Sequence, residues 1–253
     1  MLRSSTVKSA RILCIGVLLL GTLTCKNALA TQFTVINVGS LGGTNGTYAN
    51  GIDSNGDIVG TSYLSGNSAS RGFVYSNGSI VALGTLGGLN SEASGINDSG
   101  IVVGSAYNSS GNWTAFYDTN NTLTSLGTLG GTSSMANAIN ATGSIVGNAY
   151  LAGNTGYQAF IDTNNAMIGL GTLGGIDSSA NAINLSRQVV GWADTSSGNT
   201  YAFLYSAGAM QDLGTLGGSS STVTAVNDNG SVVGYSSLSG NATESAFSTP
   251  MGS

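Results

Sequence analysis

Across 253 residues the chain carries 40 Gly, one Pro, two Cys, no His and only 7% charged residues. His-based triads, His–metal sites and Cys-rich zinc sites are thereby excluded, and six Lys+Arg are too few to track nucleic-acid phosphates. A hydrophobic fraction of 41% is too high for a disordered chain.

The first element is a targeting segment. Arg3, Lys8 and Arg11 precede an apolar run from Ile12 to Leu23, too short to span a bilayer as a helix, and Ala28-Leu29-Ala30 forms a small-x-small cleavage site. Residues 1–30 therefore read as a secretory signal peptide; an uncleaved anchor and lipidation at Cys25 are the alternatives. Cleavage removes both cysteines, so stability must come from packing and hydrogen bonds. It leaves Arg71 and Arg187 against eleven Asp+Glu, a net charge of −9. The expected location is extracytoplasmic, either extracellular or periplasmic, with no membrane insertion after cleavage and no nucleic-acid partner.

Residues 31–253 are one domain written in repeats. Leu-Gly-Gly recurs at Leu41, Leu86, Leu129, Leu173 and Leu216, and the last four follow Leu-Gly-Thr. Aliphatic-Val-Gly ends at Gly60, Gly104, Gly147, Gly191 and Gly234, a phenylalanine returns at Phe73, Phe116, Phe160, Phe203 and Phe247, and Gly-Asn pairs end at Asn67, Asn112, Asn154, Asn199 and Asn241. Four markers in one frame establish a repeat of about 43–44 residues.

Within one unit, Ala93-Ser94-Gly95-Ile96-Asn97 leads through the turn Asp98-Ser99-Gly100 into the β-branched run Ile101–Gly104. A polar loop then precedes a third strand at Thr114–Tyr117, and a turn precedes a fourth at Thr122–Leu126. No window shows a capped helical period. The pattern predicts an all-β fold, a five-bladed β-propeller of four-stranded antiparallel blades. A parallel β-helix is the rival. The segment Phe33–Val38 stands where a fourth strand would, and the fifth unit ends on a third strand. The propeller reading therefore has the N-terminal strand closing the last blade. The repeated Phe is expected in the core.

The pattern LGTLGG, A-x-x-I-N, G-x-V-V-G and A-F resembles the HAF-repeat family of bacterial extracellular repeat proteins over Phe33 to Phe247. Ala-Phe stands at Phe116, Phe160, Phe203 and Phe247, and Gly-Phe at Phe73. The position of the family's eponymous His holds Arg71, Thr114, Gln158, Tyr201 and Ser245. The resemblance implies a secreted, propeller-like bacterial protein and carries over no defined activity.

For chemistry, Asp53, Asp98, Asp228, Asp118 and Asp162 fall at recurrent turn positions, where Asp is favoured by local backbone bonds. Glu92, Asp177, Asp194, Asp212 and Glu244 are less regular, but no base, nucleophile and stabiliser can be assigned among them. Asp53-Ser54-Asn55-Gly56-Asp57 alternates oxygen ligands as calcium loops do, yet lacks the downstream Glu, so a hairpin turn is the better account. No catalytic residue, metal or cofactor is expected. The expected function is a monomeric, non-catalytic binding module for neutral carbohydrate or a surface polymer. A structural scaffold is the alternative, and a glycan-acting hydrolase comes after it. Candidate ligand-binding residues are the loop amides Asn67, Asn112, Asn154, Asn199 and Asn241, with Arg71, Trp113, Tyr157, Tyr201 and Glu244 beside them, because amides and aromatic faces suit sugars.

Overall fold

Short β-branched runs alternate with turns that require positive φ, and this alternation builds a hairpin meander in every repeat. The computed structural model describes residues 34–249. The expected signal peptide and Phe33 lie outside the described residues. The first unit holds β1 (Gly42–Ile52), β2 (Ile58–Leu64), β3 (Ser70–Ser76) and β4 (Ser79–Ala82). The second holds β5 (Gly87–Ile96), β6 (Val102–Asn108), β7 (Trp113–Thr119) and β8 (Thr122–Gly127). The third holds β9 (Gly130–Ile139), β10 (Ile145–Leu151), β11 (Tyr157–Thr163) and β12 (Ala166–Gly169). The fourth holds β13 (Gly174–Ile183), β14 (Val189–Thr195), β15 (Thr200–Ser206) and β16 (Ala209–Asp212). The fifth holds β17 (Gly217–Val226), β18 (Val232–Leu238) and β19 (Glu244–Thr249). Within each unit, consecutive strands pair antiparallel. A single parallel pairing, Thr200 with Ser220, links the sheets of the fourth and fifth units. Among the described residues there is no α-helix, and no helix is long and apolar enough to cross a membrane.

Local chemistry explains the turns. Between the first two strands the Asn of Ala-x-x-Ile-Asn folds the chain back: Asn97 Oδ1 accepts from Ser99 N–H (3.1 Å) and Ile101 N–H (3.1 Å). Asn140 does the same with Thr142 and Ser144. Between the third and fourth strands, Asn120-Asn121 and Asn164-Asn165 adopt φ of 55° to 62°, as a two-residue type I′ hairpin needs. The Val-Gly glycine answers a different demand. The first strand bulges opposite it, with register shifts at Ala93/Gly95 and its counterparts. The bulge presses a carbonyl onto the second strand, so a Cβ on Gly104 would meet Glu92 O at 2.0 Å, and one on Gly147 would meet Met135 O at 1.9 Å.

The sheets are apolar on both faces and cover one another in chain order. Val59 and Leu83 of the first unit pack with Ala93, Val102, Ala106 and Phe116 of the second. Val103 and Ala115 meet Ala136, Ile145, Ala149 and Phe160 at the next junction. The same scheme joins the third unit to the fourth around Phe203, and the fourth to the fifth around Val223 and Val232. First strands of neighbouring units lie against each other, while among the fourth strands only β8 and β12 meet appreciably. The sheets thus fan out, close together at their first strands and apart at their fourth.

Hydrogen bonds fix this stacking. Ser134, Ser178 and Ser221 are buried and sit on first strands. Each accepts from a third-strand N–H of the preceding unit, at Ala115, Ala159 and Ala202 (2.8–2.9 Å). Each also donates to the glycine carbonyl of Leu-Gly-Thr, at Gly127, Gly171 and Gly214 (2.5–2.6 Å). The turn asparagines form a ladder from unit to unit, in which the side-chain amides of Asn97, Asn140 and Asn184 donate to the carbonyls of Asn140, Asn184 and Asn227.

Among the described residues the expected closing strand is not formed. Residues 34–40 adopt no strand conformation, and among the described residues no strand pairing joins β17–β19 to β1–β4. The two ends of the array differ in burial. Phe73, Phe116, Phe160 and Phe203 are 0% exposed, whereas Phe247 is half-buried and Ala246 is exposed.

Two outcomes follow from this packing. Phe116→Ala and Phe160→Ala should each cost about 3–5 kcal/mol in denaturant titration, and Phe247→Ala clearly less; equal losses at all three would contradict burial between units. Gly104→Ala or Gly147→Ala should abolish the cooperative melt or cost more than about 3 kcal/mol, since the clash is with backbone that cannot swing aside.

Candidate aromatic binding clefts

Period-two alternation puts every other residue of the second strand on one face, and its hairpin partner on the third strand shares that face. Tyr107 thereby stands opposite Trp113, and Tyr150 opposite Tyr157. Their ring centroids are 4.3 Å and 5.4 Å apart. Trp192, from the second strand of the fourth unit, meets Tyr157 edge-on at 6.0 Å. Aromatic side chains of three consecutive units therefore lie close to one another along one side of the array.

Two clefts open along this side. The first, of about 330 Å³, lies between the second and third units and is lined by Trp113, Ser133, Ser134, Met135, Asn148, Tyr150 and Tyr157. The second, of about 400 Å³, lies between the fourth and fifth and is lined by Trp192, Thr200, Ser220, Ser221, Thr222, Tyr235 and Glu244. In the repeat frame Trp113 corresponds to Thr200, Ser133 to Ser220, Met135 to Thr222, Asn148 to Tyr235, and Tyr157 to Glu244. One cleft geometry is thus formed twice, two repeats apart, with different side chains. Burial raises the Tyr157 phenol above its usual pKa, and Asp177, Tyr150 and Asp194 add to the effect. Its hydroxyl stays protonated and is a neutral donor.

The ten residues singled out from the sequence divide. Trp113 and Tyr157 share the first cleft, and Glu244 lines the second. Three loop amides are engaged within their own units: Asn67 Oδ1 accepts from Thr44 N–H (2.9 Å) and Asn45 N–H (3.1 Å), Asn154 Oδ1 from Thr132 N–H (2.9 Å), and Asn241 Oδ1 from Ser219 N–H (2.8 Å). All three have φ of 54° to 56°. Asn112 takes part in its turn through its backbone N–H, which donates to Asn108 Oδ1. Asn199 reaches Ser197 Oγ and the Tyr201 hydroxyl, both at 3.4 Å. Arg71 donates to the carbonyls of Ser70 and Leu89, bracing the junction of the first two units.

Met135, Asn148, Tyr150, Trp192 and Tyr235 complete the clefts and were not singled out. The signal for three of them is the residue after Val-Gly, which reads Thr61, Ser105, Asn148, Trp192 and Tyr235. It varies at a fixed register, where a core position would stay constant.

The acids are mostly held by backbone. Asp53 Oδ1 accepts from Asn55 and Asp57 N–H, which makes the calcium-like string a turn. Asp177 Oδ1 accepts from Tyr157 N–H (2.9 Å), Asp194 Oδ1 from the Thr200 hydroxyl (2.8 Å) and Asp212 Oδ1 from Gly214 N–H (2.7 Å). Ser54 N–H donates to Asp98 across the first junction and lowers its pKa. Burial raises the pKa of Glu92. Among the described residues no three His, Cys, Asp or Glu side chains gather in a group.

At other sites in the unit junctions, Asp118 and Asp162 line cavities of about 350 and 240 Å³. Each is 3% exposed, and its Oδ2 has no hydrogen-bond partner among the described residues. Desolvation raises both pKa values, opposed by the backbone bonds from Asn121 and Asn165. For an acid whose folded pKa is raised, the folded state binds the proton more tightly, so stability falls as pH climbs from the unfolded to the folded pKa. Asp118→Asn with Asp162→Asn should therefore gain melting temperature over wild type as pH rises from below the ordinary carboxylate range toward neutrality. A difference independent of pH would contradict the burial of these charges. No family model matches the chain, and no curated protein is significantly similar to it.

Proposed function

We propose that the chain is an exported, non-catalytic binding module whose five sheets act as β-propeller blades and whose clefts take a neutral polysaccharide. The observation that carries this reading is the recurrence of one cleft two repeats apart, each combining aromatic rings with hydroxyl or amide groups. Ring faces suit the C–H faces of sugars, and Ser, Thr, Asn and Tyr groups suit their hydroxyls without requiring charge. Two such sites on one rigid array favour a repeating ligand, because the second engages at high effective concentration. A chain this acidic repels anionic polymers, which leaves neutral ones in front. Export rests on the apolar N-terminal run, and the resemblance to HAF-repeat proteins agrees with it.

A second reading, a structural scaffold, is favoured by one observation. The side chains of Asn67, Asn154 and Asn241 are already bonded within their units.

Affinity electrophoresis through gels containing neutral polysaccharides separates the two. Trp113→Ala with Tyr157→Ala, or Trp192→Ala with Tyr235→Ala, should each weaken retention about tenfold, as expected for losing two aromatic contacts worth about 0.5–1.5 kcal/mol each. All four together should abolish it, and wild-type retention should survive high salt. Failure to bind any neutral polymer leaves the scaffold, and release of reducing ends would make the protein a hydrolase.

A further inference from the structure

We propose that the two ends of the array join head to tail between copies of this chain, in place of the monomer expected from the sequence. The forward face of the fifth unit is the face that units one to four each bury against a successor. Val233 is 48% exposed, against 0% for Val59, Val103, Val146 and Val190 at the same position. Ala246 is exposed, while Ala115, Ala159 and Ala202 are 0% exposed. On the rear face of the first unit Phe73 is 0% exposed, and the deficit lies on the first strand. Ala49 is exposed where Ala93, Ala136, Ala180 and Val223 are at most 1% exposed.

The occupant follows from continuity with the four junctions already formed. Each is made by the forward face of one unit and the rear face of the next, and a second copy's first unit carries that rear face. The polar groups match as well. The asparagine ladder ends at Asn227, and the first unit of a second copy offers the carbonyl of Asp53 in the place of the next acceptor.

The backbone edge is complementary too. Among the described residues β19 has no fourth strand beside it. In every other unit that strand runs directly into Leu-Gly-Gly, and Val38-Gly39-Ser40-Leu41 repeats the pattern of Leu213-Gly214-Thr215-Leu216. A copy docked as a sixth unit brings its own Thr34–Val38 alongside β19, where an exposed edge invites pairing. Val35, 98% exposed in the single chain, is then covered. The contact is heterologous, so repetition gives a closed ring or a filament according to the rotation at each joint.

Sedimentation of the purified protein over a range of concentrations tests this. Val233→Asp blocks only the forward face and Ala49→Asp only the rear face. Both positions are exposed, and circular dichroism melts, with Val233→Lys and Ala49→Lys as second variants, identify any that fail to fold. Wild type should pass from one chain to multiples as concentration rises, and each folded variant should remain a single chain. An equimolar mixture of the two should restore a two-chain species, since each supplies the intact face that the other lacks. Wild type that stays a single chain at every concentration would overturn the proposal; destabilisation of that monomer by deleting residues 34–38 would then assign the joint to closure within one chain. A mixture that stays monomeric while wild type associates would also overturn it, as would association insensitive to both variants.

Discussion

A four-stranded sheet with apolar side chains on both faces cannot stand alone in water, and most of this architecture follows from that constraint. Val102 points to the preceding unit and Val103 to the following one, so a single β-branched run supplies two cores. Each unit completes its neighbours, as in other repeat architectures, and stability is shared along the array instead of residing in one centre. The phenylalanine is the largest fully buried side chain, and its burial tracks a complete four-stranded sheet. It is complete in the first to fourth units and partial at Phe247, whose sheet has no fourth strand among the described residues.

Apolar faces alone would let the sheets slide, and the polar residues of the repeat prevent that. The serine at the middle of the first strand in the third, fourth and fifth units ties the third strand of the preceding unit to the Leu-Gly-Thr crossover. The turn asparagine uses its oxygen for its own hairpin and its amide for the next unit. One side chain therefore sets both the local turn and the long-range spacing. The Val-Gly glycine completes the register, because only a residue without a Cβ lets the bulged strand approach.

Much of this was legible in the residues. Turn asparagines, β-branched runs and the recurring phenylalanine are local signals with period-two or turn chemistry behind them, and the strands over Trp113–Thr119 and Thr122–Gly127 stand where that chemistry placed them. The candidate clefts were only half legible. Trp113 and Tyr157 could be marked by lying next to varied loops, but Trp192 looks like a packing residue until the neighbouring unit is in place. The Gly-Asn pairs illustrate the converse. Their recurrence suggested a shared surface, whereas Asn67, Asn154 and Asn241 recur because a left-handed residue there can clamp the start of its own first strand. Whether the array closes depends on the sum of small rotations at successive junctions, which no local pattern encodes.

The ladder of asparagine amides, each reaching the equivalent carbonyl one repeat further on, has a consequence for how such a chain can change over generations. The second, third and fourth junctions use the same donor and the same acceptor, and all four use the same apolar pair of faces. Unequal crossing-over that removes or duplicates one whole repeat leaves each surviving junction intact, whereas loss of a few residues inside a repeat would break the hand-over at once. The length of the protein is therefore free to vary in steps of one unit, and the side chains in the clefts can diversify without disturbing the joints that hold them.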